Sequence, residues 1–536
     1  MKAEVTGPPL SSIEGPGGLT LGAFLDEVCA AHKQREALVF DDPLRDGATT
    51  RWTYQDLHDQ TKRIARALIA NGVRTGDRVA VLMSNRPEAA AAYFGAGMIG
   101  AVVAPLSTFA TAPELEQLLE LAEPAIVLAQ TRMGRRDFSV DLEDAPCRVA
   151  YVDQHWPEFL NEGNAIGEED VDERRSAVTP DSDTLIIFSS GTTAKPKGVV
   201  HVHRAPTMQF WVQRRIFGRT PNTRLWAALP MFWTAGMNTA LGATLAAGGC
   251  WVMQEGFDPG QALNLMARER VTEPYTLPHQ ARALEEHPDW KTTDLSALRE
   301  VFGKSVFTRH PSVHGDPSWQ TPVGWGMSET CAFISAHNSD TGRETVRRSL
   351  GQILPEVQLK VIDPESGETV ERDVEGELLV RGPMLMRTYL GKTPAECFDA
   401  DGWFHTGDVG HLDEHGELHW TGRRTEMIRT GGAMVSPAEI EVQMRACADV
   451  RLARVIGMPD ERLDQIAVLC VELTDGADTS PQALQAFLRE RVAAYKVPKR
   501  VLIFGAGEIP LTASATKVRD DALRELVTAR MERGGE

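Results

Sequence analysis

Apolar and polar positions change in blocks along residues 52–106, and this pattern predicts helices and strands in turn. WTYQDLHDQTKRIARALIANG has helical spacing, and it is followed by a turn at GDR and by the apolar strand AVLM. A second helix leads to the apolar strand AVVAPL, and ELEQLLELAEPAIVLAQ continues with a further unit of this kind. Strands that alternate with helices are typical of a mostly parallel sheet covered on both faces. The pattern therefore predicts an α/β fold with layered sheets.

Two uncharged runs, residues 89–106 and 225–254, are long enough to be considered as membrane spans. The first is rich in Ala and Gly and closes in a strand at Pro105, and the second is interrupted by Pro230, Asn238 and two glycines. These features favour buried core elements over a membrane span. From about residue 131 to 183 the chain turns polar and acidic, which predicts an excursion over the surface.

The composition changes near residues 402–440, where short alternating segments and turns replace the apolar blocks. SPAEIEVQMRACADV then has the pattern of a helix with Ser436 as its N-cap. Further along, the strands RVIGMP, IAVLCVEL and RVLIF alternate with a helix and predict a compact α+β unit of about 110 residues. We therefore predict a large domain at residues 1–422 and a small domain at residues 423–536.

Charge and cysteine usage narrow the classes of function. Among 536 residues, Lys and Arg number 56 and Asp and Glu 75, so the net charge is −19. Such a charge repels nucleic acid and anionic lipid, although a local cradle of amides and cations can still bind a small anion such as ATP. The seven cysteines are widely spaced and never form C-x-x-C, which favours a reducing compartment without disulfides. With no apolar signal segment at the N-terminus, we expect a cytoplasmic protein without an integral membrane segment.

The most informative segment is 184–200, where the apolar strand TLIIF is followed by SSGTTAKPKG. Hydroxyls and exposed amides can donate to phosphate oxygens, glycine leaves room for them, and lysine adds positive charge. The segment is not a Walker A loop, because Pro196 stands before Lys197 where glycine would be needed. It indicates a polyphosphate site, and by itself it is also compatible with a plain surface turn.

SSGTTAKPKG resembles the phosphate loop of the acyl-adenylate-forming superfamily, which includes acyl-CoA synthetases, carrier-protein adenylation domains and luciferases. Other blocks of that family recur in order along nearly the whole chain. GWGMSE at 324–329 resembles its G-Y-G-M-T-E block, and GWFHTGD at 402–408 matches its G-W-x-x-T-G-D block. Gly422 and Arg423 followed by EMIRTGGAMVSPAEIE resemble the crossover into its small domain. YKVPK at 495–499 and PLT at 510–512, continuing to Lys517, complete the set.

The resemblance implies a site for ATP and Mg²⁺. Trp325 offers a flat face for adenine, Glu329 a carboxylate for Mg²⁺, Asp408 an acceptor for the ribose hydroxyls and Arg423 a planar donor. The residues implied in ATP binding are Ser189, Ser190, Gly191, Thr192, Thr193, Lys197, Trp325, Gly326, Met327, Ser328, Asp408, Arg423 and Lys517.

The reaction implied by the resemblance has two halves. A carboxylate oxygen of the substrate attacks the α-phosphate of MgATP to give an acyl-adenylate and pyrophosphate, and the thiol of CoA then displaces AMP. Lys517, Glu329 and Thr193 are the implied catalytic residues, with the charge of Lys517 placed over the α-phosphate. The small domain of this family reorients between the halves, so we expect a mobile small domain with a hinge at Thr425.

The acid is predicted only as a class, because aromatic and sulfur side chains near the implied pocket indicate an apolar fatty, aryl or alicyclic group. The chain departs from the family at Trp233, where histidine is frequent, at Thr425, where Asp or Lys is more common, and at Gly303-Lys304-Ser305, where a Gly-Ala-Pro-like loop is usual. The residues implied at the acyl and CoA pocket are Phe232, Trp233, Gly236, Gly303, Gly324, Gly431 and Gly432.

Five histidines need separate interpretation. His411, His415 and His419 would share one face of a helix, but the turn signal DEHG lies among them, so we expect two strands and no metal site. His201 and His203 flank one valine on a predicted strand and are expected to be structural.

The leading hypothesis is an acid:CoA ligase whose partners are a small carboxylic acid, ATP and CoA. Nucleic acid is not expected as a partner, and a homodimer is one of the oligomeric states considered. One alternative is an adenylating enzyme that delivers the acyl group to a carrier protein or an amine. Another is a luciferase-like oxygenase, and a fourth is a nucleotide-binding protein without catalysis. Pyrophosphate release with and without CoA would separate them.

Overall fold

The computed structural model describes residues 1–13, 17–190, 196–301, 305–315, 319–346, 349–423, 427–474, 476–505, 507–510 and 518–533.

Strands and helices alternate along the first half of the large domain, as the sequence pattern predicts. In chain order the strands of this domain are β1 Glu4–Thr6, β2 Glu36–Asp42, β3 Ala48–Thr53, β4 Arg78–Leu82, β5 Val102–Pro105, β6 Ile126–Ala129, β7 Arg132–Met133, β8 Arg136–Asp137, β9 Arg148–Tyr151, β10 Asp183–Ser190, β11 Pro196–Val202, β12 Arg224–Ala227, β13 Cys250–Met253, β14 Glu273–Tyr275, β15 Gly324–Met327, β16 Ala332–Ala336, β17 Gln352–Ile353, β18 Gln358–Ile362, β19 Gly376–Arg381, β20 Thr388–Tyr389, β21 Phe404–Leu412 and β22 Leu418–Arg423. Its helices are α1 Leu21–His32, α2 Tyr54–Ala70, α3 Pro87–Met98, α4 Ala112–Ala122, α5 Phe138–Asp141, α6 Trp156–Glu162, α7 Glu168–Ala177, α8 Arg204–Ile216, α9 Ala243–Ala246, α10 Pro259–Arg268, α11 Pro278–Glu286 and α12 Arg343–Val346.

Two mostly parallel sheets form the body of the large domain. The first has seven strands in the order β20-β11-β10-β5-β4-β6-β9, and the run from β10 to β9 is parallel. The second has the order β14-β12-β13-β2-β3, and only β3 is antiparallel to its neighbour. Parallel strands need crossover connections, and the helices between them supply these.

The two uncharged runs are core elements, as predicted. Residues 89–106 form most of α3, whose residues are all buried, and then β5. Residues 225–254 include β12, a π-helical stretch at Ala235–Gly242, α9 and β13. Among the described residues, no helix combines the length and the apolar character that crossing a membrane requires.

The later part of the large domain departs from the parallel pattern. The sheet β1-β18-β19-β21-β22 is antiparallel throughout, and only β21 and β22 are joined by a short turn. A smaller antiparallel sheet is formed by β15, β16 and β17, and β7 pairs with β8. The description of the fold as mostly parallel is therefore correct for the first two sheets only.

The polar segment 131–183 is not simply a surface excursion. It contains β9, which pairs with β6 at the edge of the first sheet, and Phe138, Phe159 and Leu160 are buried. Charged residues are densest in α7, in which Val171 is the buried position. Several apolar residues of the segment 131–183 are therefore buried, although the segment is polar on average.

The small domain has its own sheet and its own buried apolar clusters. Its strands are β23 Ile428–Thr430, β24 Ala433–Val435, β25 Val450–Asp460, β26 Asp464–Leu473 and β27 Arg500–Phe504, and its helices are α13 Pro437–Arg445, α14 Pro481–Arg489 and α15 Asp520–Arg533. Ser436 caps α13, because its hydroxyl accepts a hydrogen bond from the amide of Glu439. Arg423 is the last residue of β22 and residues 424–426 lie outside the described residues, so the boundary at 422–423 stays a prediction.

Candidate active site

A cavity of about 760 Å³ lies where the large domain meets the small one. Its large-domain wall is built from residues that follow the carboxyl ends of β4, β5, β12, β13 and β14, which is where ligands bind in open parallel sheets. The residues of this wall include Met83, Ser84, Asn85, Thr108, Phe109, Pro230, Met231, Phe232, Trp233, Glu255, Phe257, Leu277, His279 and Gln280. The small domain contributes Thr430, Gly431, Ala433, Asp460, Arg462, Leu463, Tyr495, Lys499 and Arg500.

Aromatic side chains from both domains meet at this cavity. Phe109 contacts Phe232, Trp233 and Tyr495 edge-on, with ring centroids 5.2, 6.1 and 6.3 Å away. Phe232 and Trp233 also contact each other at 5.8 Å. Burial raises the pKa of Tyr495 to about 12, so its hydroxyl is neutral near pH 7. The wall therefore offers apolar surface to a ligand.

The structure brings together only part of the predicted acyl and CoA pocket. Phe232, Trp233 and Gly431 line the cavity, and Gly432 lies beside Leu277 in its wall.

Gly236 does not line the cavity, and a Cβ at Gly236 would lie 2.0 Å from the carbonyl oxygen of Pro230. Gly324 likewise faces the backbone of β16, since a Cβ would lie 2.3 Å from the carbonyl oxygen of Ser335. These last two glycines are explained by close backbone approach.

Two residues predicted to bind ATP contact each other directly. The indole Nε1 of Trp325 donates a hydrogen bond of 2.9 Å to Oδ2 of Asp408. Asp408 is 2% exposed and Trp325 7% exposed. The bond fixes the indole and one carboxylate oxygen, but most of the ring is covered by protein. Arg423 is opposite Asp408 in the pairing of β21 with β22, so the backbone of Arg423 lies next to that of Asp408.

Glu329 belongs to a second polar group, with Tyr389 and Lys197. The hydroxyl of Tyr389 donates a hydrogen bond of 2.8 Å to Oε1 of Glu329, and Nζ of Lys197 lies 5.1 Å from the centroid of the tyrosine ring. The amide of Met386 binds the carbonyl of Glu329 at 2.7 Å. A half-buried carboxylate that contacts a tyrosine, with a lysine near the ring of that tyrosine, suits a cation accompanied by phosphate. Tyr389 could not be found from the sequence, because a strand of two residues carries too little pattern to be predicted.

The predicted phosphate loop lies at the end of a hairpin. β10 and β11 are antiparallel, and Ser189 is opposite Lys197 while Ser190 is opposite Pro196. The strand before the loop is as predicted, and the next described residues form β11. Five further predicted residues of the nucleotide and acyl sites, and the predicted hinge, lie outside the described residues, namely Gly191, Thr192, Thr193, Gly303, Lys517 and Thr425.

The loop of Gly326, Met327 and Ser328 is fixed to β11 by a buried histidine. Nε2 of His201 lies 2.8 Å from the carbonyl oxygen of Ser328, and burial lowers the pKa of His201 to about 4. A Cβ at Gly326 would lie 1.8 Å from the carbonyl oxygen of Ala332, so glycine is needed for the close strand pairing. His201 therefore has a structural role as predicted, and it joins two of the predicted ATP-binding blocks.

The remaining histidines are explained by packing. Nδ1 of His203 accepts a hydrogen bond from the amide of Leu21, and burial lowers the pKa of His203 to about 3. His411 and His419 are partners across β21 and β22 with stacked rings 4.5 Å apart, and His415 lies in the turn between these strands. The helix that would have aligned them is absent from this part of the chain, as the turn signal predicts.

Two titratable groups of the cavity whose pKa values are shifted were not found from the sequence. Burial raises the pKa of Glu255, whose carboxylate accepts hydrogen bonds from Gln130 and Ser84. Burial and the charge of Arg462 lower the pKa of His279. The cavity therefore holds a neutral imidazole near pH 7. Both residues follow strand ends, but only the folded structure shows that these ends face one cavity.

Comparisons with known proteins identify the family of the chain. The family model for AMP-binding enzymes matches residues 25–390, and the model for the C-terminal domain of AMP-binding enzymes matches residues 439–516. Indoleacetate–CoA ligase of Aromatoleum aromaticum is 31% identical over 494 residues, which are 89% of this chain and 93% of that protein. Feruloyl-CoA synthase of an Amycolatopsis species is 32% identical over 499 residues, which are 90% of this chain and 95% of that protein.

Solved structures show the same architecture. The amide bond synthetase McbA of Marinactinospora thermotolerans has a TM-score of 0.74 at 26% identity, covering 94% of this chain and 99% of that one. o-Succinylbenzoate CoA synthetase of Bacillus subtilis, bound to a product analogue, has a TM-score of 0.73 at 24% identity and covers 94% of this chain and 98% of that one. The chain therefore belongs to the family of AMP-binding enzymes, with an α/β large domain and a small C-terminal domain.

Proposed function

We propose that the protein is an ATP-dependent ligase that joins an apolar carboxylic acid, aryl in class, to the thiol of CoA through an acyl-adenylate. The observation that carries this proposal is the cavity between the domains, whose wall combines Phe109, Phe232 and Trp233 with the glycine loop at Gly431. An aromatic wall favours a ring-bearing or other apolar acyl group. The names of the indoleacetate and ferulate enzymes support the aryl class.

In the first half-reaction, a carboxylate oxygen of the acid attacks the α-phosphorus of ATP. The bond from this phosphorus to the bridging oxygen breaks, and pyrophosphate leaves with the electron pair. Glu329, held by the hydroxyl of Tyr389, would bind Mg²⁺, which supplies positive charge to the phosphates. Lys197 adds charge on the same side, and Asp408 is held by Trp325 for contact with the ribose. Lys517 and Thr193 are proposed to act at the α-phosphate.

In the second half-reaction, the sulfur of CoA attacks the acyl carbonyl carbon. The bond between that carbon and the AMP oxygen breaks, AMP leaves with the electron pair, and the thiol proton is released. Gly431 and Gly432 have φ of +57° and +86°, a region that favours glycine, and they bring the β23–β24 turn close to His279 and Leu277 without side chains. A thin pantetheine arm fits such a passage better than a bulky group does.

The test is pyrophosphate release and acyl-CoA formation across a panel of acids, with and without CoA. We expect phenylacetate- or cinnamate-type acids to give higher kcat/KM than short aliphatic acids, and acyl-CoA to appear with AMP in equal amounts. Pyrophosphate release with no acyl-CoA from any acid would contradict the ligase.

The structural similarity to an amide bond synthetase favours one second candidate, transfer of the acyl group to an amine. An amine panel in place of CoA tests this directly, because an amide product that outpaces the thioester would reassign the acceptor. Oxygen uptake during turnover would instead indicate a luciferase-like oxygenase.

We also infer a cytoplasmic location, where CoA and ATP are available, since all seven cysteines are free thiols. A homodimer stays a prediction.

A further inference from the structure

A buried lysine joins the two domains beside the cavity. Nζ of Lys496 lies 2.8 Å from Oε1 of Glu114 in the large domain and 2.6 Å from Oε1 of Glu439 in the small domain. The three side chains are only 11–13% exposed, which sets this group apart from solvated surface pairs. Tyr495, the residue before Lys496, lines the cavity and contacts Phe109. The ion group therefore adjoins the aromatic wall.

Both glutamates lie in the first turn of a helix. Glu114 lies in the first turn of α4, and its Oε2 accepts hydrogen bonds of 2.7 and 3.0 Å from the amide and hydroxyl of Thr111. Glu439 lies in the first turn of α13, where its amide binds the Ser436 hydroxyl. The positive ends of two helices thus approach from the two domains, and each carboxylate stabilises its own helix end.

The contact can break without leaving any of the three groups without a partner. If the domains separate, Lys496 keeps Glu439, which moves with it, and Glu114 keeps its hydrogen bonds from Thr111. Breaking a buried ion pair is strongly unfavourable when it leaves one charge with no partner, and here the lysine keeps an ion pair while Glu114 keeps two uncharged donors. Such a group can hold an orientation of the domains and still release it.

We propose that Lys496 and Glu114 are positioning residues for thiol transfer, which hold the small domain so that Tyr495 and the turn at Gly431 complete the cavity. This inference rests on the proposed function for the identity of the step. The predicted nucleotide-binding residues of the large domain lie in other elements. Substitution of Lys496 or Glu114 should therefore affect thiol transfer more than nucleotide binding.

The main variant is Glu114→Gln, which keeps the side-chain shape and leaves Lys496 paired with Glu439. We expect thiol transfer from supplied acyl-adenylate to fall about tenfold, equivalent to about 1.4 kcal/mol, because a charged hydrogen bond becomes a neutral one. Pyrophosphate release in the first half-reaction should stay within about twofold. The matched control is Glu116→Gln, an exposed glutamate two residues further along α4, for which both rates should stay unchanged.

A second pair of variants tests the lysine itself. Lys496→Arg keeps the charge and should restore most of the transfer rate, whereas Lys496→Met should lower it at least as far as Glu114→Gln does. Equal losses in both half-reactions, or a Glu114→Gln variant that matches Glu116→Gln, would overturn the proposal and leave the group a stabilising contact only.

Hydrogen exchange without substrates separates this proposal from the proposed function. If the contact holds the domains, the amides of Leu277, His279 and Gln280, which line the cavity, should exchange several-fold faster in Glu114→Gln than in Glu116→Gln. Faster exchange in a protein that forms no acyl-CoA would retain the positioning role and refute the ligase. Unchanged exchange in an active ligase would refute the positioning role.

Discussion

Replacing Trp233 by alanine should enlarge the acyl end of the cavity without unfolding the protein. The side chain is half-buried and contacts Phe109 and Phe232 edge-on. Each such aromatic pair contributes about 0.5–1.5 kcal/mol beyond its buried area, so loss of the two pairs alone should cost about 1–3 kcal/mol of stability. A fully buried tryptophan would lose about 3–5 kcal/mol. For a chain of this length the melting temperature should fall by only a few degrees.

The activity should change more than the stability, because the indole occupies the wall that an aryl group would contact. One methylene more or less on a substrate changes its transition-state binding in an apolar pocket by about 1–3 kcal/mol. In Trp233→Ala, the ratio of kcat/KM for a bulky acid to kcat/KM for a small acid should therefore rise about 10- to 200-fold. The assay is CoA-dependent pyrophosphate release with benzoate, cinnamate and naphthoate-type acids. An indole also has no acid or base function near neutral pH, so the pH profile should stay unchanged.

Trp226 provides the matched control, because it lies in β12 a few residues earlier but is fully buried. Trp226→Ala should lower the melting temperature strongly, and any folded fraction should keep the original acid preference. The reasoning about Trp233 would be refuted if Trp233→Ala lost as much stability as Trp226→Ala and kept the acid profile of the parent.

Three further predictions concern the two half-reactions. Lys517→Ala should lower pyrophosphate release at least about 100-fold and spare thioester formation from supplied acyl-adenylate, because the lysine charge is needed at the α-phosphate. Rapid-quench assays of each half-reaction measure both rates, and equal losses would contradict the prediction. Thr425→Pro should slow thiol transfer more than adenylation in the same assays, since proline fixes φ at the predicted hinge, whereas a parallel fall in both would indicate misfolding. Tyr389→Phe removes the hydrogen bond to Glu329 and should raise the Mg²⁺ concentration for half-maximal activity about tenfold; an unchanged Mg²⁺ titration would exclude Glu329 as the ligand.

Local pattern predicts much of the large domain. The Ala-rich run 89–98 has no polar face, so it can only be a helix buried on all sides, and α3 is that helix. The apolar run at 102–105 is too short for a second helix and forms β5. The capping signal at Ser436 likewise places the start of α13. These elements are decided by residues that are close in sequence.

The antiparallel sheet and the edge strand β9 could not be predicted in this way. β9 is Arg148–Tyr151, a short strand in a polar segment, and its place in the sheet depends on pairing with β6. β1 pairs with β18 across more than 350 residues, and no local signal at Glu4–Thr6 specifies that partner. β-propensity describes how well a residue fits a half-buried sheet surface, and it does not determine which strand pairs with which.

The candidate site shows the same limit in its polar contacts. Trp325 and Asp408 were each predicted as ATP-binding residues from separate blocks, but the hydrogen bond between them spans 83 positions. The bond makes the two residues a unit, so a variant at either one should disturb the other. The sequence blocks indicate which residues matter, whereas the structure shows which of them act together.

The cavity depends on the relative position of the domains as much as on its lining. Five strand ends of the large domain each contribute a few residues, and the small domain closes the space with Tyr495 and the turn at Gly431. No single segment therefore carries a pattern for the acyl pocket, and the contact of Lys496 with Glu114 joins the two domains beside it. It follows that substitutions at the domain contact should alter acceptor transfer as directly as substitutions in the wall. Acid selectivity, in contrast, should respond mainly to Phe109, Phe232 and Trp233, because these three aromatic side chains of the large-domain wall contact one another at the cavity.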